Sequence, residues 1–340
     1  MRGVIMHAPG DVRIEDRPDP VIEQPGDAII RTVAACVCGS DLWPYRGADH
    51  VHDTPMGHEY VGIVEEVGAD VSAVRVGDFV VGSFFASCGQ CEICRAGFQS
   101  RCIRAVSMGS IGTQAERVRI PMADGTLVAT PGMPDADLVP SLLAASDVLG
   151  TGWYAAWAAG VGPGKTVAVV GDGAVGLCSV LAAKELGAER IIAMSRHPQR
   201  QDLAKEFGAT DIVETRGDEG VAAVKELTGG YGAHCVIEAV GTQEAMMQAI
   251  RSTRPGGGVG YVGVSHDVSL PGEELFFADI SLMGGPAPVR RFLPDLIDRI
   301  WRRQINPGRV FDLTVPLADA AQAYQAMDRR TAVKAMLTMD

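Results

Sequence analysis

Cys88, Cys91, Cys94 and Cys102 stand in the pattern C-x2-C-x2-C-x7-C inside one glycine-containing stretch. Four soft thiolates so close together can fill a tetrahedral shell around one zinc ion and leave no position for a substrate, so their expected role is to fold a loop. Disulfides and an iron–sulfur cluster are the competing uses. Closely spaced cysteines strain a disulfide, and nothing else in the chain calls for electron transfer. A second group lies nearer the start, in Cys38-Gly39-Ser40-Asp41 and Gly57-His58-Glu59, each beside an apolar run. Cys38 and His58 offer two ligands of the mixed sulfur and nitrogen character that a catalytic zinc uses with one position left open. Taken singly, a cysteine is more often a small buried hydrophobe and a histidine a satisfied core group.

A third pattern, Gly171-Asp172-Gly173-Ala174-Val175-Gly176, follows the apolar run Thr166–Val170 and opens a helical stretch. G-x-G-x-x-G between a strand and a helix predicts a dinucleotide site. The first glycine permits the tight turn, the second lets the pyrophosphate approach, and the third lets helix and strand pack closely. An NAD site usually adds a carboxylate at the end of the second strand, to hold the ribose 2′-hydroxyl. Here that strand ends in Ser195-Arg196 with Arg200 nearby, and no carboxylate occupies the expected place. Ser195 can donate a hydrogen bond and Arg196 supplies a planar cation suited to phosphate oxygens, so NADP(H) is expected over NAD(H). The competing reading is that Arg196 and Arg200 only solvate the start of a helix.

The elements that must position these residues change character along the chain. Up to about residue 140, short β-type runs at 28–34, 61–67 and 76–82 are separated by Gly, Pro and Asp turns, which predicts an antiparallel, barrel-like lobe. From Lys165 onward strands and helices alternate, with further strands expected at 190–194, 211–213, 234–237 and 258–264, so βαβ units and a parallel sheet follow. An amphipathic stretch at 289–305 and a strand-like end at 332–339 read as a return to the first lobe.

With 340 residues, 47% hydrophobic and 21% charged, the chain can bury a large core divided between two domains. A formal net charge of −12 argues against nucleic acid or an anionic membrane as partner, because those need clustered cations. Small molecules are the expected partners. The first residues lack a long apolar segment, and the apolar region 138–161 is interrupted by Ser141, Ser146, Asp147 and Thr151, so neither export nor a membrane span is expected. In the cytoplasmic setting this implies, eight cysteines read as metal ligands or catalytic groups before disulfides.

Over essentially its whole length the chain resembles the zinc-dependent medium-chain alcohol dehydrogenases. The residues that carry the likeness are Cys38-Gly-Ser-Asp, Gly57-His58-Glu59 with Gly62, Gly68 and Val71, the Cys88/91/94/102 cluster, and Gly171-x-Gly-x-x-Gly176, in family order. The resemblance implies an α/β fold: a GroES-like, β-rich catalytic domain built from both chain ends, 1–147 and 288–340, with an inserted Rossmann domain at 148–287. It implies reversible oxidation of an alcohol to an aldehyde or ketone by hydride transfer, with two zinc ions per subunit in a homo-oligomer, tetramer or dimer. Polyol and formaldehyde dehydrogenases share the same motifs. A zinc-free quinone reductase would lack the cysteine lobe, and a nucleotide-binding relative that has lost catalysis is the rival outside the enzyme class.

Carried over residue by residue, the resemblance makes Cys38 and His58 ligands of the catalytic zinc and Glu59 an exchangeable one. Many members supply a third ligand as a cysteine shortly before the Rossmann domain. Asp147 stands at that place, as in some bacterial NADP-dependent members, and a carboxylate is an acceptable zinc ligand. Ser40 matches the hydroxyl that hydrogen-bonds the substrate alcohol and starts its proton relay. Where many members have a relay histidine, this chain has Trp43, so the relay is expected to run through the cofactor ribose and water, or through His50 or His52. Gly171, Gly173, Ala174, Val175 and Gly176 would hold the pyrophosphate, and Lys334 matches a basic residue that often meets it. Cys36, Cys178 and Cys235 fit no metal pattern and are expected to be buried.

Overall fold

A computed structural model describes residues 1–339, which form two compact units: Met1–Gly150 together with the chain from Pro288 onward, and Thr151–Ala287. In the first unit the central strand is Ala28–Cys36, whose inward positions are almost all apolar. It pairs antiparallel with Tyr60–Val67, with Arg117–Ile120 and with Lys334–Thr338. The last described strand therefore joins the sheet of this early strand, with Met336 opposite Cys36 and Thr338 opposite Ala34. Its outer strands are Phe79–Gly82 and Leu127–Ala129 on one side and Phe311–Pro316 on the other.

Two apolar clusters hold this unit. One joins Val4, Met6, Val37, Met56, Tyr324 and Leu337; the other joins Ile30, Tyr60, Val64, Val80, Ile120 and Leu127. Each aliphatic side chain so buried contributes about 1.5–3 kcal/mol. The run expected at 76–82 begins as a strand only at Phe79. Arg75 to Asp78 is a turn instead: the Asp78 N–H bonds Arg75 O at 3.1 Å while its carboxylate accepts the Arg75 N–H at 3.0 Å.

Thr151–Ala287 carries a six-stranded parallel sheet in the order Asp211–Val213, Arg190–Met194, Thr166–Val170, Ala233–Glu238, Thr253–Tyr261, Ser281–Gly284. Numbered along the chain this is 3-2-1-4-5-6, the doubly wound order whose ligand crevice lies at the carboxyl ends of the strands. Strands buried on both faces read as continuous apolar runs, and Val167, Ala168, Val169, Ile192, Val236 and Val259 are fully or almost fully buried. The strand expected at 258–264 instead starts at Thr253 and ends at Tyr261, and its glycine-rich start meets its neighbour across a register irregularity.

The apolar region 138–161 forms two helices, Val139–Ala145 and Val148–Ala158. Among the described residues no helix is long and apolar enough to cross a membrane. The amphipathic stretch is the helix Val289–Trp301, whose Val289, Leu293, Leu296, Ile297 and Ile300 face inward.

Candidate metal centres and cofactor site

Cys38 leaves the end of the central strand and turns at once, because the Asp41 carboxylate accepts its backbone N–H at 2.9 Å. His58 and Glu59 lead into Tyr60–Val67, the neighbouring strand, and Asp147 lies between the two helices at 139–158. One ligand atom from each of Cys38, His58, Glu59 and Asp147 falls within 4.8 Å of all the others. Asp147 Oδ2 is 3.7 Å from Cys38 Sγ and 3.3 Å from His58 Nε2. Donors about 2.0–2.3 Å from one tetrahedral ion are separated by roughly these distances, so this set of sulfur, nitrogen and oxygen fits zinc.

The electrostatics agree with that fit. Burial lowers the tendency of His58 to hold a proton, yet Cys38, Asp41 and Asp147 outweigh it and keep its pKa well above the ordinary histidine value. Burial, then the neighbouring Glu59, pushes the Cys38 thiol up. Such a cluster has an excess of anionic groups and a demand for positive charge, which a divalent ion meets.

A second layer fixes these ligands. Asp41 Oδ1 lies 3.4 Å from His58 Nδ1 and so directs Nε2 toward Asp147. Gln114 donates to Asp41 Oδ2 at 3.4 Å and to Cys36 O at 3.0 Å, and accepts from the fully buried Tyr324 hydroxyl at 3.0 Å. Glu59 is fully buried, with Cys36 Sγ donating to one oxygen at 2.8 Å and Lys334 Nζ to the other at 2.9 Å. Lys334 also donates to Val37 O at 3.2 Å. Lys334, the basic residue that the resemblance brings to the pyrophosphate, is 1% exposed, and its ammonium is paired with Glu59. Burial works against the charge on Lys334, but Cys36 and Glu59 hold its pKa well above the usual lysine range.

Ser40 is half-buried in the turn after Cys38, and its side chain makes no hydrogen bond to another described residue. Trp43 sits in the short helix Leu42–Tyr45, half-buried, while His50 and His52 are exposed. Phe84 stands edge-on to the His58 ring at 6.2 Å between centroids.

The four-cysteine segment contains only the short helix Glu92–Arg95 and the turn Gln99–Arg101. Its cysteines are free thiols. Sulfur separations are 4.0 Å for Cys88–Cys94, 3.9 Å for Cys91–Cys102 and 3.4 Å for Cys88–Cys102. A tetrahedral ion about 2.3 Å from each sulfur sets them about 3.8 Å apart, so this cluster also fits zinc. Backbone N–H groups of Cys91, Cys94 and Arg104 point at the sulfurs from 3.3–3.4 Å, as thiolate ligands require. Burial alone would raise Cys88, but bonds from Gln90, Arg104 and Cys91 bring it down to about 6; Cys94 is pushed up to about 12, mainly by burial.

In the other unit, Thr166–Val170 delivers Gly171 at φ +122°, a conformation side-chain-bearing residues rarely adopt. A Cβ on Gly176 would lie 2.0 Å from Gly171 O, which explains the third glycine. A Cβ on Gly173 would meet nothing within 4 Å, so the loop backbone is open to an approaching ligand there. The helix Ala174–Glu185 begins without a side-chain cap, leaving the N–H groups of Ala174, Val175 and Gly176 for an anion. This cradle fits a pyrophosphate.

Register places Val170 opposite Met194, so the glycine loop runs beside Ser195. The second strand itself ends without a carboxylate, as its sequence reads, but one reaches this end from the glycine loop. Ser195 Oγ donates to Asp172 Oδ2 at 2.7 Å, and Arg200 Nη1 bonds Asp172 Oδ1 at 3.3 Å and Asp172 O at 3.2 Å. The carboxylate comes from the loop and not from the second strand, a contact that chain position alone does not signal. Arg196 is exposed, and its side chain bonds no other described residue. On the flanking strand the fully buried Glu238 accepts the N–H groups of Val240 at 2.8 Å and Gly241 at 2.7 Å, fixing the turn that packs against Gly171.

Comparison with known proteins agrees with both units. The alcohol dehydrogenase GroES-like domain matches residues 24–132, and the zinc-binding dehydrogenase domain matches residues 174–301. Zinc-type alcohol dehydrogenase B of Aspergillus flavus is 38% identical over 339 residues, covering 96% of this chain and 78% of that protein. Among solved structures, alcohol dehydrogenase TADH from Thermus sp. ATN1 superposes with a TM-score of 0.92 at 32% identity, covering 99% of each chain. Zinc-dependent alcohol dehydrogenase 2 from Streptococcus pneumonia, in its apo form, gives 0.91 at 30% identity, covering 100% of this chain and 99% of that one. The chain belongs to the zinc-dependent medium-chain dehydrogenase/reductase family, whose alcohol dehydrogenases interconvert alcohols and carbonyl compounds.

Proposed function

We propose that this protein oxidises a small alcohol, or reduces the corresponding aldehyde or ketone, with a nicotinamide dinucleotide. In this reading Cys38, His58 and Asp147 hold a catalytic zinc, Glu59 is its exchangeable ligand, and Cys88, Cys91, Cys94 and Cys102 hold a structural one. Residues 1–147 and 288–340 form the catalytic domain and 148–287 the cofactor domain. The observation that carries the proposal is the convergence of one sulfur, one nitrogen and two carboxylate oxygens within 4.8 Å, three of the residues nearly or fully buried.

When bound, zinc supplies Lewis acidity toward the substrate oxygen, and the nicotinamide gives or takes the hydride. The chain supplies the rest. Asp41 orients His58, and Cys36 and Lys334 hold Glu59 in place. Ser40 Oγ, its own hydrogen-bonding capacity uncommitted, accepts the proton of the substrate hydroxyl as it passes its own proton on to water or the cofactor ribose. Gly171, Gly173, Ala174, Val175 and Gly176 hold the pyrophosphate.

An NADP(H) preference would rest on the exposed Arg196 alone, since Ser195 and Arg200 are engaged by Asp172. A homo-oligomer is supported by the edge strand Ser281–Gly284 and by Phe276 and Phe277, which are 80% and 75% exposed. Cytoplasmic residence is supported by two clusters that need reduced thiols. The test is metal analysis with initial rates across small alcohols, aldehydes and ketones. Zinc with cofactor-linked turnover is expected; full turnover after complete demetallation would contradict the proposal.

A further inference from the structure

We propose that Asp172 sets the choice between the two nicotinamide cofactors, by engaging the groups that would otherwise receive a ribose 2′-phosphate. This rests on the dinucleotide reading of Thr151–Ala287. In doubly wound folds the adenosine ribose lies at the carboxyl end of the second strand. Here that end carries Ser195, Arg196 and, in the helix that follows, Arg200. Ser195 has one hydroxyl proton and commits it to Asp172 at 2.7 Å, while its oxygen accepts the His197 N–H at 3.3 Å. Arg200 is held by both the carboxylate and the backbone oxygen of Asp172, and the two side chains are only 12% and 11% exposed.

Asp172 thereby does two things. It neutralises the partly buried cation, and it presents an acceptor-only group that suits a ribose hydroxyl and repels a phosphate. A 2′-phosphate could recruit Ser195 and Arg200 only by displacing the carboxylate against like-charge repulsion. Arg196 is the cation left free at this strand end among the described residues, and it accounts for the phosphate-like look of the local sequence. Asp172 therefore takes the discriminating role usually given to a carboxylate on the second strand, and the site is built for NAD(H).

The test is calorimetric binding of NADH, NADPH, ADP and adenosine 2′,5′-bisphosphate to the full chain without substrate. Wild type should bind NADH at least as tightly as NADPH. Asp172→Asn keeps the size and an oxygen for Ser195 but removes the charge. It should shift the NADPH-to-NADH affinity ratio tenfold or more toward NADPH, about 1.4 kcal/mol, with the same direction for the bisphosphate against ADP. Arg196→Gln in that background should reverse much of the gain. Asp172→Ser provides the same comparison should the asparagine variant fail to fold. An unchanged ratio, an equal loss for both cofactors, or wild-type binding tenfold tighter for NADPH would overturn the proposal. Absence of binding by either dinucleotide would instead remove the cofactor-site reading on which it stands.

Discussion

Burying the ammonium of Lys334 beside the carboxylate of Glu59, at 1% and 0% exposure, is tolerable only because each neutralises the other. Lys334→Met leaves that carboxylate buried and uncompensated, which should cost about 3–5 kcal/mol in urea denaturation. Adding Glu59→Gln should recover a large part of the loss; additive losses would show that the pair is not coupled. Ser40→Ala should lower kcat about a hundredfold with zinc content unchanged, as measured by initial rates and metal analysis together. Loss of zinc in that variant would assign Ser40 a structural role instead. The clustered cysteines, His58 and the glycine loop are readable in sequence because their spacing is local. The bonds Lys334–Glu59, Tyr324–Gln114 and Ser195–Asp172 are not, since each joins residues that only the fold brings together. Asp41 lay inside a motif already singled out, and its place beside His58 was the part that needed structure.

At the scale of elements, the segment from Cys88 to Cys102 has almost no apolar support of its own beyond the cysteines and Met122. Cys94→Ser should therefore remove one metal and expose this segment to limited proteolysis, while NADH binding persists. An intact, protease-resistant segment in the variant would contradict a structural metal there. In the parallel sheet, Arg190 donates to both oxygens of Asp211 at 2.8 and 2.9 Å across adjacent strands, and this bond holds Asp211 below the usual carboxylate range. A depressed folded pKa gives stability above the unfolded value near 3.9 that disappears as pH falls through the folded value. Asp211→Asn should cost about 0.5–1 kcal/mol at pH 7, because the pair is partly exposed, and less at an acidic pH that protonates the folded carboxyl. Equal costs at both pH values would sink the ion-pair explanation. Element types followed from periodicity, whereas ends moved: turn bonding delays one strand to Phe79, and the glycine-rich strand begins at Thr253, five residues before the apolar run that flagged it.

Across the whole molecule, the two clusters of candidate metal ligands lie in Met1–Gly150 and the glycine loop in Thr151–Ala287, so the proposed metal and dinucleotide sites draw on separate sets of side chains. The change in sequence texture near Lys165 made this division readable. The pairing of Lys334–Thr338 with Ala28–Cys36, which brings the tail into the main sheet of the first unit, was expected only as a return of the tail to that lobe. The most direct test of the assigned chemistry is the zinc-to-protein ratio of the wild type beside Asp147→Ala, with turnover and NADH affinity measured on the same samples. The expected result is about two zinc ions per wild-type chain and about one in the variant, whose turnover is lost while NADH affinity is kept. A variant that keeps both its full zinc content and its turnover would contradict the assignment of Asp147 and, with it, the catalytic centre described above.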